Sequence, residues 1–378
     1  MYKVSSFVLL RAAVAVLAAL LVPAATALGA TEVSPLTAGW APARVQGAPA
    51  PGLDAAIEAP VPLRFRHDSL GRSRAREAIE IPGTWGGVFT TTSGEQIEML
   101  ASPYYRVNNQ WLQDWANWMS TYLFHNQEFS KLTVLFVAPF ELGTICGSGA
   151  GGCYSPSAAL MVVPGNNLPD GTNMATVLAH EYGHHVGANA TNPPWDAVTW
   201  GPKRWASTAN ICARVYAGNA FPGDEGSHYR LNPAEAFAET YRLAVYNSHT
   251  WTNGWWNPAP WNVVDASFFP TSAGLAAAIE DALHPWVVAP SPQASLRGKF
   301  TRAKRQVTTR ISTPFDGDVT VTLYRPVGAG VTVIDGDSGA VVAGNSSSFM
   351  FRVCGQRTFL LRVAGRRGQS FRVDVTTP

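Results

Sequence analysis

Residues 173–187 read NMATVLAHEYGHHVG, and the five residues His180-Glu181-Tyr182-Gly183-His184 inside them decide how the rest of the chain is read. Capping candidates from Asp170 to Asn173, the apolar run that follows and Gly187 in C-cap position predict a helix over Asn173–Val186. On a helix, residues four apart share a face, so His180 and His184 can reach one metal ion together. Glu181 then faces the water that such an ion activates and is placed to take its proton. Zinc suits two imidazoles and brings the pKa of its water towards about 7. With eight histidines in 378 residues, a chance His-Glu-x-x-His is rare. One zinc ion per chain is therefore expected.

A catalytic zinc takes three protein ligands and leaves one position open. The longer metzincin pattern, H-E-x-x-H-x-x-G-x-x-H, is excluded. Gly187 fits its glycine, but Ala190 stands where the third His belongs, and no Met lies between Met174 and Met350 to make the Met-turn. The remaining candidates are Glu235 and Glu239. They lie in the segment NPAEAFAETY (232–241), where Asn232 as N-cap and Pro233 at the first position predict a helix to Tyr246. The two carboxylates are four apart, so one can bind the ion while the other holds a His ligand from behind. A carboxylate pair that merely solvates a helix face is disfavoured here because the helix is otherwise apolar.

The segments His180–His184 and Glu235-Ala-Phe-Ala-Glu239 resemble the zinc-binding core of the lethal-factor-like peptidases. These are gluzincins, typified by the catalytic domain of anthrax lethal factor and related to the Pro-Pro endopeptidases. The resemblance implies a zincin fold, peptide hydrolysis and Glu235 as third ligand, with Glu239 supporting a histidine. The family also has a Tyr shortly before that Glu, which donates to the transition state. Tyr229 is the nearest match, one residue closer than the family pattern, and His228 occupies the aligned place; either can donate to an oxyanion. The resemblance covers about 135–246 only.

The ends of the chain have other compositions. Lys3 and Arg11 precede an apolar run from Ala12 to Val22 and an Ala25-Thr26-Ala27 site, which is the order of a secretory signal over 1–27. An uncleaved anchor is the alternative, since Ala12–Ala30 is almost long enough to span a bilayer. Residues 28–80 are rich in Pro and Ala and then in Arg, and read as a linker or short pro-segment. Residues 81–288 carry mixed α/β patterns. Trp111, Trp115, Trp118, Met119 and Tyr122 recur at helical spacing over Asn108–His125. Leu132–Val137 and Ala158–Val163 read as strands, the second either an edge on which an extended peptide docks or an ordinary sheet strand. Residues 293–378 alternate instead, at Val319, Val321 and Leu323, then Phe349, Phe351 and Val353, and onward to Val375. That pattern predicts a small β-sandwich. The fold class expected is therefore an α+β zincin-like metallopeptidase domain followed by a smaller all-β sandwich.

Four cysteines in an exported chain read as disulfides. Cys146 and Cys153 flank a glycine-rich loop that a local bridge closes; Cys212 and Cys354 then pair across a long separation or stay free. His185 is one step round the helix and reads as a supporting or surface residue. Asp224 and Glu225 are too few for a calcium site. The Trp residues, among them Trp195, Trp200, Trp205, Trp251, Trp255, Trp256 and Trp261, are read as packing first.

A net charge of +2 and only 14% charged residues give no footprint for nucleic acid and no polybasic surface for a membrane once the signal is removed. The expectation is a secreted, extracellular zinc metalloprotease acting on peptide or protein substrates through a metal-activated water. A monomer is the working expectation. Two other readings stand beside it. One is a non-catalytic surface-binding protein with a structural zinc, which the intact Glu181 disfavours. The other is a zinc hydrolase of a non-peptide, cell-wall amide.

Overall fold

Residues 72–249, 260–288, 292–324, 328–345 and 348–378 are described by a computed structural model of the chain. The expected signal, most of the lead-in, and Trp251, Trp255 and Trp256 lie outside these residues. All the described residues fall in one unit, Arg44–Pro378.

The first part alternates helices and strands. Its helices are α1 (Arg72–Ile79), α2 (Asn109–Tyr122), α3 (Pro139–Ile145), α4 (Met174–Asn189), α5 (Ala197–Trp200), α6 (Lys203–Thr208), α7 (Ile211–Tyr216), α8 (Pro233–Asn247) and α9 (Ser272–Leu283). Strands β1 (Trp85–Thr90), β2 (Gln96–Ala101), β3 (Thr133–Val137), β4 (Cys153–Ser155) and β5 (Leu160–Pro164) form one sheet in the order β1-β2-β3-β5-β4. The three middle strands are parallel, and the two outer ones pair antiparallel. Strands β3 and β5 are unbroken apolar runs because both their faces are covered. Of the two readings of the Ala158–Val163 strand the ordinary one holds: β5 lies between β3 and β4, and on that side the sheet ends in the three residues of β4. Helix α2 buries Trp111, Trp115, Trp118, Met119 and Tyr122 on one face, and Trp111 meets Phe136 of β3 at 4.7 Å between ring centroids. Asn108 caps it by accepting from the N–H of Trp111. The lead-in ends in an element of the core, for Ala75 and Ala78 of α1 are buried there.

The second part consists of eight strands: β6 (Ala294–Lys299), β7 (Gln306–Thr313), β8 (Gly317–Tyr324), β9 (Gly330–Asp335), β10 (Val341–Asn345), β11 (Phe349–Val353), β12 (Arg357–Ala364) and β13 (Ser370–Thr376). They make two antiparallel sheets, β10-β9-β12-β7 and β11-β8-β13-β6. Both sheets turn one face onto a single apolar cluster, with Phe359, Leu361 and Val363 from one and Val319, Val321 and Val373 from the other. The period of two fixes the register, since a slip by one would expose all of these at once.

The two parts are fastened at a seam. Cys212 of α7 is bonded to Cys354, just past β11. Lys203 of α6 is buried and donates through Nζ to the carbonyls of Pro193 (2.7 Å) and Asp316. Burial lowers its pKa to about 8 against the pull of Asp316, so it is a cation at neutral pH. Lys203→Met keeps the bulk and takes the donor from a buried carbonyl, that of Asp316, and a partly buried one, that of Pro193. A loss of about 1–3 kcal/mol of stability is expected, read by urea denaturation.

Candidate metal centre

The centre is built where α4 crosses α8. Asn173 caps α4 by accepting from the N–H of Ala175, and Asn232 caps α8 by accepting from the N–H of Ala234. The expected C-cap glycine is inside α4, which runs on to Asn189. Gly187 instead faces Phe237 of α8, where a Cβ would sit 3.6 Å from the ring. One turn earlier the helices are closer. A Cβ on Gly183 would lie 2.7 Å from Cα and 3.1 Å from O of Ala238. The small residues at 183 and 238 are what let the two backbones meet.

That approach brings His180, His184 and Glu235 together, with one ligand atom of each lying within 4.8 Å of the others, so this group can hold a metal ion. Nε2 of His180 is 3.3 Å from Oε2 of Glu235, and Nε2 of His184 is 3.4 Å from Oε1. The other nitrogen of His180, Nδ1, faces Oε2 of Glu239 at 3.4 Å. His180, Glu181, Glu235 and Glu239 are all buried. Burial would raise the Glu239 carboxyl, but Arg242, helped by His180, outweighs it and brings it down to about 2. The Arg242 guanidinium donates to both oxygens, at 2.8 and 2.6 Å, and lies over the Trp261 ring. The backbone N–H of Trp261 donates to Oε1 at 2.7 Å. Burial would likewise lower His184; Glu235, Glu181 and Glu225 prevail and raise it to about 9.

Glu181 and His184 open onto a cavity of about 180 Å3, which Tyr154, Thr199, Gly223, Glu225 and Glu235 also line. Neither Tyr229 nor His228 is among its lining residues. His228 stacks on Phe221 at 3.9 Å and bonds to Asp224 through Nδ1 at 2.9 Å. Tyr229 packs against the edge of the main core. Asp224 is turned into its own loop, accepting from the N–H of Gly226 at 2.6 Å. His185 is buried rather than at the surface. Its Nε2 donates to the carbonyl of Glu128 at 2.9 Å and its Nδ1 accepts from the Tyr154 hydroxyl at 2.8 Å.

The local disulfide Cys146–Cys153 is formed as expected, and Cys212–Cys354, whose pairing the sequence leaves open, is formed as well. Sequence reasoning passed over Tyr154, Thr199 and Arg242 and left Glu225 without a role. Only Arg242 had a local signal, a cation three residues after Glu239 in an apolar helix.

No protein-family model matches the chain, and no curated protein matches it. Among solved structures it is similar to the pre-peptidase C-terminal domain of a collagenase from Bacillus anthracis, at 10% identity and a TM-score of 0.19, over 22% of this chain and 88% of that one. It is similar to the Yersinia pseudotuberculosis-derived mitogen at 10% and 0.19, over 23% and 87%. A third is PliG of Aeromonas hydrophila, a periplasmic inhibitor of g-type lysozyme, at 17% and 0.18, over 23% and 89%. Likenesses of this size carry no argument about the fold or the activity.

Two outcomes follow from the geometry. Gly183→Ala gains about 1 kcal/mol of helix propensity, yet its Cβ meets backbone. A net loss of about 1–3 kcal/mol and a weaker hold on metal are expected, read by denaturation and metal content. His185 is the second. Burial lowers its pKa from 6.5 to about 4. A depressed pKa gives stability that is complete above 6.5 and is lost as pH falls through about 4. Wild type in EDTA should lose about 3 kcal/mol across that window, and His185→Gln distinctly less.

Proposed function

We propose that the protein is a secreted zinc-dependent endopeptidase with a zincin-like α+β domain. The observation that carries the reading is the placing of Glu181 in one cavity wall with His184 and Glu235, whose carboxylate the Nε2 atoms of His184 and His180 share. Tetrahedral ligands about 2.0–2.1 Å from zinc stand about 3.4 Å apart. The two Nε2–Oε separations, 3.3 and 3.4 Å, fit that edge and are long for charge-assisted hydrogen bonds. The donor set, two His and one Glu, is one that catalytic zinc uses. Bound there, zinc acts as a Lewis acid on a carbonyl and makes water more acidic.

The chain's own groups do the rest. His180, His184 and Glu235 hold the ion. Glu239, fixed by Arg242 and Trp261, keeps Nδ1 of His180 protonated and turned away, so that Nε2 faces the ion. Glu181 takes the proton of the attacking water and passes it to the leaving amine. Tyr229 and His228, in the turn that leads into α8, are the candidate oxyanion donors, and neither lines the cavity. Two disulfides suit an oxidising compartment. Among the described residues no helix is long and apolar enough to cross a membrane, and the signal-like 1–27 supports export.

Zinc content and cleavage of a broad peptide library, for wild type and Glu181→Gln, test the proposal. Zinc should stay at one per chain while kcat falls at least about 100-fold. Glu235→Ala should lose zinc outright, and Glu239→Ala should bind it about 10–100-fold more weakly. A wild type that holds zinc and cleaves no peptide rejects the endopeptidase, and a cell-wall amide is then the next substrate to try.

A further inference from the structure

The loop closed by Cys146–Cys153 touches the carboxylate that the proposed function makes the base. Gly152, buried, comes directly before Cys153 and β4. A Cβ there would lie 2.8 Å from Cγ1 of Val177, 2.9 Å from Oε1 of Glu181 and 3.1 Å from its Cγ. A Cβ fits there only if the Val177 or Glu181 side chain gives way. The backbone does not ask for glycine at 152. Gly147 and Gly149 of the same loop sit at φ of 112° and 83°, whereas Gly152 is outside the left-handed region. Space beside Val177 and Glu181 is therefore the reason for a glycine at this position.

Val177 and Glu181 are one helical turn apart, so the loop packs along a single ridge of α4. The loop has little freedom to retreat. The disulfide ties Cys153 to the end of α3, and β4 pairs with β5 through Cys153 and Val162. The next residue, Tyr154, bonds to His185 on the same helix α4. The Glu181 carboxylate thus faces the cavity with a fixed wall at its side.

We infer that Gly152, held by the Cys146–Cys153 bridge, is a positioning residue for Glu181. This rests on the reading of Glu181 as the base. A displacement of about 1 Å in a catalytic group is enough to cost about 100-fold in rate.

Four proteins test it: wild type, Gly152→Ala, Gly152→Ala with Val177→Ala, and Cys146→Ser with Cys153→Ser. Zinc content, melting temperature, kcat and KM are measured on one peptide. Gly152→Ala should keep its zinc and KM while kcat falls about 10–100-fold. Adding Val177→Ala removes the aliphatic clash, though it also deletes buried methyl groups, and kcat should stay low because the clash with the carboxylate persists. The double Ser variant should keep zinc and lose kcat as well. If kcat returns once Val177→Ala is added, or Gly152→Ala turns over like wild type, Gly152 serves packing alone and the inference is overturned. A crystal structure of Gly152→Ala reads the same point without activity. A Glu181 carboxylate unmoved from its wild-type place overturns the inference. A displaced carboxylate in a protein whose wild type cleaves nothing upholds the positioning and rejects the proposed function instead.

Discussion

Everything at the candidate metal centre depends on how closely α4 and α8 can approach. Ordinary side chains hold helix axes about 8–10 Å apart, and a glutamate has only two methylenes with which to cross the gap. Gly183 against the backbone of Ala238 closes it. Each helix then contributes a pair of residues one turn apart, and the pairs interlock. His184 meets Glu235, Glu235 meets His180, and His180 meets Glu239, at 3.4, 3.3 and 3.4 Å. A single small-residue contact thus sets four side chains at once.

Burial makes that ladder costly unless its charges are matched. Glu239 is matched by Arg242 and by the Trp261 N–H, which hold both its oxygens. A carboxylate so occupied orients an imidazole well and serves poorly as a ligand. Glu235 faces the two histidines instead. The division of labour between the two glutamates, left open by their spacing alone, follows from which of them has the arginine three residues on.

The sequence made the helices of the site legible because their signals are local: Asn caps, Pro233 at a first turn, and paired side chains four apart. Gly187 misled because a glycine near a helix end has two uses, and here Phe237 of another helix decides for packing over capping. Strand β4, beyond β5, was missed for a similar reason. Cys153-Tyr154-Ser155 carries no strand pattern, and only pairing with β5 makes it one. In the sandwich the strands with aromatic alternation were readable, whereas β6, with Arg297 and Lys299 on an exposed edge, was not. Gly152 was beyond reach, since its meaning lies in a contact with a residue 29 positions away.

The seam gives the sandwich a bearing on the site that its sequence does not announce. Lys203, Ser207 and Cys212, all on α6 and α7, meet the sandwich at Asp316 and Cys354. The chain leaves α7 and runs directly into the loop that supplies Gly223 and Glu225 to the cavity, and then into α8 with Glu235. A segment fixed at its start by a disulfide and a buried lysine, and at its end by the Asn232 cap, has few ways to drift. Thr199 is packed against Gly223 across the cavity wall, where a Cβ would stand 3.3 Å from it. The sandwich therefore bears on the cavity through the chain itself: it anchors one end of the segment whose other end walls the site.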